Sequence, residues 1–264
     1  MRLEKSPTVL SALLAVLLCG LLAATPADAS TKKAPKTGEA TVSDSDASEY
    51  DPLEPLNRGI YYFNYAVDAA VLRPVTLVYR TAVPERGRAM VSNAVANAYE
   101  PVVFFNSVLQ GDAQNSFATF WRFIINSTFG LGGLFDAASS VGLQARVTDL
   151  GQTFAIYGAD AGPYIVLPII GPSNLRDAFG RLGDAFMNPV SYMDNAVFYT
   201  ELGVTAVDAR SRNWQVINDI YTDSIDPYST FRSGFTQHRA ESVKKAKRQR
   251  DASIKKTTAD NAAK

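Results

Sequence analysis

The chain has one cysteine and one histidine in 264 residues, and no lysine at all between Glu39 and Val243. A single cysteine makes no internal disulfide, and one histidine beside it cannot complete a zinc site of Cys and His ligands. Net charge is missing too, 26 Lys plus Arg facing 26 Asp plus Glu. The basic excess of a protein that grips a phosphate backbone is therefore absent, and no nucleic-acid partner is expected. Catalytic signatures are equally scarce. There is no G-x-S-x-G elbow, no H-E-x-x-H and no G-K-S/T phosphate loop, and the one histidine, His238, lies beside a basic tail. This inventory predicts no enzyme, no cofactor and no metal.

What is present is unevenly placed. Arg2 and Lys5 precede an apolar run from Val9 to Ala24, and Ala27-Asp28-Ala29 supplies small residues before Ser30. That order predicts a signal peptide over 1–29 rather than a spanning helix, which needs about 20 apolar residues. Cys19 is a possible lipidation site, but lipoprotein signals want a small residue before the cysteine and Leu18 is not small. Cleavage after Ala29 is the preferred reading. Residues 30–50 are rich in Ser, Thr, Ala, Lys and acids without periodic apolar positions, the pattern of a disordered tether.

The zero total hides a division. Residues 51–238 hold 12 Arg and 17 acids, net −5, whereas 239–264 hold nine basic and three acidic residues, net +6. The reading divides the chain into the leader, the linker, a helical body over 51–239 and a basic tail over 240–264, the tail being a solvated, frayed helix end. An Arg-only body suits a low-dielectric setting, since guanidinium is weakly hydrated and pairs in two-pronged fashion; GC-rich codon usage explains it equally well.

The body reads as all-α. Asp51-Pro52-Leu53-Glu54 predicts a helix start with Asp51 as cap and Pro52 in the first turn, the helix running to about Val71. Along it Leu56, Ile60, Phe63 and Val67 form an apolar stripe and Asn57, Tyr61, Asn64 and Asp68 a polar one, with Glu54 and Arg58 spaced to pair. Prolines punctuate the rest. Val75–Val83 is β-branched, but no alternating partner follows it, so no sheet is expected. Between Asn115 and Asn126, Asn115, Thr119, Arg122 and Asn126 make one narrow polar stripe, and nearly everything else is large and apolar. Such a helix is either buried all round or faces lipid on one side. Gly130, Gly132 and Gly133 follow at once; they form either a hinge or a tight turn, since no strand precedes them and the third glycine of a dinucleotide loop is missing. The stretch 157–172 reads as apolar and irregular, after which Ser173 is placed to cap a helix carrying Asp177 and Arg181 four residues apart.

Several of these segments together resemble the MlaA (VacJ) family: Asp51-Pro52-Leu53-Glu54 with Asn57-Arg58; Glu100-Pro101 with Asn106 and Leu109-Gln110-Gly111-Asp112; Arg122-Phe123 with Asn126 and Gly130-Leu131-Gly132-Gly133. Gly162-Pro163-Tyr164, Leu167-Pro168 with Gly171, Leu175-Arg176-Asp177 and Asp226-Pro227-Tyr228 with Arg232, Gln237 and Arg239 extend the likeness over about 51–239. The resemblance implies a ring-shaped, all-helical outer-membrane component, embedded in the inner leaflet on the periplasmic side beside a trimeric porin. It would remove mislocalised phospholipid from the outer leaflet through an amphipathic channel and pass it to a periplasmic lipid-carrier protein, so maintaining membrane asymmetry. A porin-associated structural protein and a periplasmic lipid hydrolase are the alternatives. On this reading Asn57, Asn64, Asp68, Arg122 and Asn126 face the channel lumen, and Phe117, Trp121 and Ile125 face lipid or core.

Overall fold

The computed structural model describes residues 51–262. The expected signal peptide, the linker and Cys19 lie outside these residues. Among those described, the chain is mostly helical, in the order α1 (Glu54–Val67), a π-helical segment (Asp68–Leu72), α2 (Arg73–Ala82), α3 (Glu85–Leu109), α4 (Ala113–Thr128), α5 (Ala137–Ser140) and α6 (Leu150–Ile156). A hairpin of β1 (Tyr164–Leu167) and β2 (Gly171–Asn174) follows, then α7 (Leu175–Met187), a 3₁₀ turn (Pro189–Tyr192), α8 (Asn195–Arg212), α9 (Trp214–Asp223) and α10 (Pro227–Ala262).

The start of α1 differs from the expectation. Leu53 holds the cap position and makes no side-chain capping bond. The Asp51 carboxylate instead accepts from the Asn57 amide at 2.8 Å, the Tyr228 hydroxyl and Arg232 at 3.2 Å. A cationic partner and a buried hydroxyl outbid a backbone amide for the same oxygens. The helix does not end near Val71 either. It continues through the π segment and past Pro74, which sits in the first turn of α2. A proline there removes only a donor from a place where the hydrogen-bond ladder is already changing register.

The expectation of no sheet is also corrected. Tyr164 pairs with Asn174 and Leu167 with Gly171 in a short antiparallel ladder. Gly162, Ile169 and Gly171 take positive φ to enter the hairpin and turn its tip. Helix α7 is then capped by Asn174, whose oxygen accepts from the Asp177 amide at 2.8 Å; Ser173 is a buried residue of β2. Pro101 lies inside α3 without ending it.

α3 and α4 form the most extensive helix pair, α6 packs on α7, and α8 packs on both α2 and α3. Among the described residues the apolar core cluster is small: buried Tyr164, Val166 and Tyr228, with Ile60, Tyr61 and Phe235 against it. No helix among the described residues is long and apolar enough to cross a membrane. α10 runs without a break through the expected boundary at 239/240 into the basic tail.

Candidate functional site

The polar stripe of α1 is its inward face. Asn57, 1% exposed, donates to the Tyr164 carbonyl at 3.0 Å and accepts from the Val166 amide at 2.9 Å. Two turns on, Asn64 repeats the motif, donating to Leu167 O at 2.9 Å and accepting from Ile169 N at 2.6 Å. A primary amide offers the donor and acceptor of a peptide group, so the two asparagines act as a third strand for the free edge of β1. Their spacing works because seven helical residues and three extended residues both advance roughly 10 Å. Asp68 ends the stripe, bound by Arg210 at 2.8 Å and 3.3 Å, both side chains buried.

A second ionic centre joins α3, α4 and α5. Arg122 donates to Glu100 at 2.8 Å, to the Leu143 carbonyl at 2.6 Å and to Ser139 at 3.2 Å, and lies 3.2 Å from Asp136. Asn126 donates to Asp136 and accepts from the Ala138 amide. Burial pushes Glu100 up against the pull of Arg122; Asp136, although burial works the other way, is held low by Ser139 and Arg122. Asn115, Thr119, Arg122 and Asn126 are the buried residues of α4, and their spacing of four, three and four is that of a helix-packing seam.

The glycine segment after α4 is a tight turn. Leu131, Gly132 and Gly133 all have positive φ, and the Gly132 and Gly133 amides return to Ser127 and Asn126 carbonyls at 3.0 Å and 2.8 Å. A Cβ on Gly130 would strike the Asn126 and Phe135 carbonyls, and one on Gly133 the Asn97 side chain. Gly130 and Gly133 are thus required by close approach at the helix end, and Gly132 by its positive φ.

At the third centre, Arg239 forms paired bonds to Asp149 (2.7 Å and 2.6 Å) and Asp177 (2.6 Å and 2.9 Å), and Arg176 donates to Asp177 at 3.0 Å. Arg181 does not pair with Asp177 and reaches the Pro172 carbonyl at 3.4 Å. Nearby, buried Asp184 accepts from Asn106 at 2.7 Å, the Leu150 amide at 3.1 Å and Tyr99 at 3.2 Å. At the start of α10, Arg58 grips Glu54 at 2.8 Å and Asp226 at 2.6 Å while stacking over the Tyr228 ring at 4.4 Å. The Arg58 bonds and the Ser229 hydroxyl hold the Asp226 carboxyl below the carboxylate range.

The outside is the converse of this interior. Leu56 and Phe63 of α1, Val75, Leu77 and Val78 of α2, and Phe117, Phe120, Trp121 and Ile124 of α4 are all exposed, Phe117 by 64%. Ile125 is half-buried. Phe129, Leu131 and Phe135 of the glycine turn and Ile169 and Ile170 of the hairpin tip add to the apolar surface. Buried polar residues outnumber buried apolar ones several-fold among the described residues. In water each exposed large side chain forgoes about 1.5–3 kcal/mol of burial, and contiguous exposed apolar patches mark interaction surfaces. Pro55, Leu56, Gly59, Ile60, Phe63 and Pro168 also enclose an apolar groove between α1 and the hairpin.

The residues singled out in the sequence therefore divide in two. Asn57, Asp68, Arg122 and Asn126, expected to face a lumen, are each under a tenth exposed and bonded to protein groups. Fixed partners of this kind are what stabilise a buried polar side chain. Half-buried Asn64 clamps the hairpin; Asp51, Glu54, Arg58 and Tyr164 converge on α10, Pro52 lies in the turn before α1, and Arg176 and Asp177 join Arg239. Asp149, Asp184 and Arg210 were missed. The contacts that tie them into these centres, Asp184 with the Leu150 amide, Asp149 with Arg239 and Arg210 with Asp68, span 34, 90 and 142 residues of chain, and no local spacing marks such pairs.

The MlaA lipoprotein family model matches residues 49–242. The intermembrane phospholipid transport system lipoprotein MlaA of Haemophilus influenzae is 36% identical over 194 residues, 71% of this chain and 77% of its own. The Escherichia coli K12 protein of the same name is 33% identical over 193 residues, 71% and 76% of the two chains. An uncharacterised protein of Rickettsia bellii is 39% identical over 198 residues, 74% and 77% of the two chains. A solved structure described as the structural basis for maintenance of bacterial outer membrane lipid asymmetry matches with a TM-score of 0.65 and 31% identity, covering 73% of this chain and 98% of that one.

Proposed function

The chain belongs to the MlaA lipoprotein family, and on that premise we propose that it is the outer-membrane component of an intermembrane phospholipid transport system, maintaining the asymmetry of the membrane. The relatives of that name supply the system, and the solved structure supplies the link to asymmetry. The observation that carries the reading is the inverted distribution of polarity: ion pairs and amide clamps inside, aromatic and aliphatic side chains outside.

The body, in this proposal, is a helical ring lying in the inner leaflet on the periplasmic side. None of its described helices is long and apolar enough to cross a membrane; in this proposal it is held by its circumference, with Phe117 and Trp121 against acyl chains and Ile125 at the border with the core. Lipid chains can follow such a surface while headgroups stay with polar groups and water. Asn57, Asp68, Arg122 and Asn126 serve by bracing the wall of the passage. A trimeric porin as neighbour, a periplasmic carrier as recipient and export by a signal peptide complete the proposal.

The test is a strain lacking the gene, assayed for phospholipid exposed on the cell surface. Complementation with the wild-type chain should restore asymmetry, and Phe117→Asp with Trp121→Asp should fail to do so at equal protein level. A wild-type chain that leaves surface phospholipid unchanged would refute the transport function.

A further inference from the structure

One cavity has a different character from the apolar surface. It measures about 390 Å³ and lies where the end of α2, the beginning of α3 and the end of α8 meet. Arg80, Arg88 and Arg212 line it, against Glu85 and Asp208, so one positive charge is in excess. Asp208, 1% exposed, accepts from Ser92 through Oδ1 at 2.5 Å and faces Arg212 at 3.0 Å. Arg80 uses Nη1 on the Ser211 carbonyl at 2.7 Å, and Arg88 uses Nη1 on the Arg80 and Val83 carbonyls at 2.9 Å and 3.3 Å. The remaining guanidinium nitrogens of these two arginines have no hydrogen-bond partner among the described residues. Those bonds fix both forks in place, and Arg80 also stacks on Trp214 at 5.3 Å.

Fixed guanidinium forks with unused donors suit a tetrahedral oxyanion. Asn93 also lines the cavity, its amide donating to the Leu134 carbonyl at 3.3 Å, and the first turn of α3, which carries Glu85, borders the cavity without a side-chain cap on its amides, a helix end whose dipole favours negative charge. Away from the cavity the same faces of α2 and α8 change character. Leu77 precedes Arg80 by three residues and Val204 precedes Asp208 by four, so each lies one turn along its helix, and both are exposed.

We propose that this cavity binds a phosphate group, the phosphodiester of a phospholipid headgroup or a free phosphate ion, with Arg80, Arg88 and Arg212 as its ligands. The headgroup form rests on the transport reading above. In that form the phosphate sits among the arginines while the acyl chains leave along Leu77 and Val204, giving the polar end of the lipid a place on an otherwise apolar surface.

Trp214, stacked on Arg80, reports occupancy. In the full chain carrying Trp121→Phe, Trp214 emission is titrated with dihexanoyl phosphatidylglycerol below its micelle concentration, with inorganic phosphate and with dihexanoylglycerol. Saturable binding of the phospholipid, at least tenfold tighter than either other probe, is expected and assigns a headgroup site. Equally tight inorganic phosphate would keep the anion site and remove it from the lipid route. Equally tight dihexanoylglycerol, or no binding of either phosphate probe, would overturn the proposal. Arg88→Gln and the more exposed Arg212→Gln should each weaken binding about tenfold, and Arg88→Lys should weaken it less; unchanged affinity in all three would also overturn it. A wild-type chain that restores asymmetry in cells yet binds neither phosphate probe defeats this site while leaving the transport function standing.

Discussion

Burial pushes the Asp184 carboxyl up to about 6, the Asn106 amide working against the rise and the nearby Asp149 charge adding to it. An unfolded aspartate titrates near 3.9, so between roughly pH 4 and 6 the folded chain holds a proton that the unfolded chain has released. The stabilisation this gives is fully present below about pH 4 and is lost as pH rises through about 6. Relative to Asp184→Asn, the wild-type protein should lose about 2–3 kcal/mol between pH 4 and pH 7, read as the difference in melting temperature in one detergent. Parallel curves for the two proteins would contradict the assignment. Sequence spacing marked Glu54 with Arg58, because a pair four residues apart on a helix is a local fact. It could not mark Asp184, whose partners arrive from α3 and α6.

At the scale of elements, glycine decides how near two helices come. A Cβ on Gly180 of α7 would enter the backbone of Gly151 in α6, and one on Gly151 would meet Asp177 and Arg239. Gly180→Ala should therefore lower stability by about 1–3 kcal/mol through overpacking and disturb the Arg239 centre. Gly203, in the interior of α8, has nothing within reach of a Cβ, so Gly203→Ala should raise stability by up to about 1 kcal/mol. Thermal unfolding of the two variants side by side checks both signs, and destabilisation by Gly203→Ala would contradict the open packing. The hairpin belongs to this scale as well. Its strands are four residues each and one edge is closed by asparagines from α1, so neither length nor alternation announced it.

For the molecule as a whole, the polarity of the surface is the decisive property. Trp121 is exposed on α4 beside Phe117 and Phe120. With Trp214→Phe as background, Trp121 emission should fall by more than half when the protein is reconstituted with phospholipid brominated on its acyl chains. Emission unaffected by bromine would place α4 away from hydrocarbon. The charge division found in the sequence acquires a frame here, since the acidic Arg-only body and the basic tail are joined by the single helix α10.

By itself the sequence determined the helical class, the family, and the segregation of polar from apolar residues into stripes, because these depend on residue type and on a period of 3.6. It left open which stripe faces inward. On α4 the pattern allowed a buried helix or a lipid-facing one, and on α1 either stripe fits a packed helix. Only the tertiary structure decided this, by bringing Glu100, Asp136, Arg210 and the edge of β1 to the polar side. Inside and outside are relations between elements distant in the chain, and the partners that satisfy a buried charge are fixed only when those elements pack.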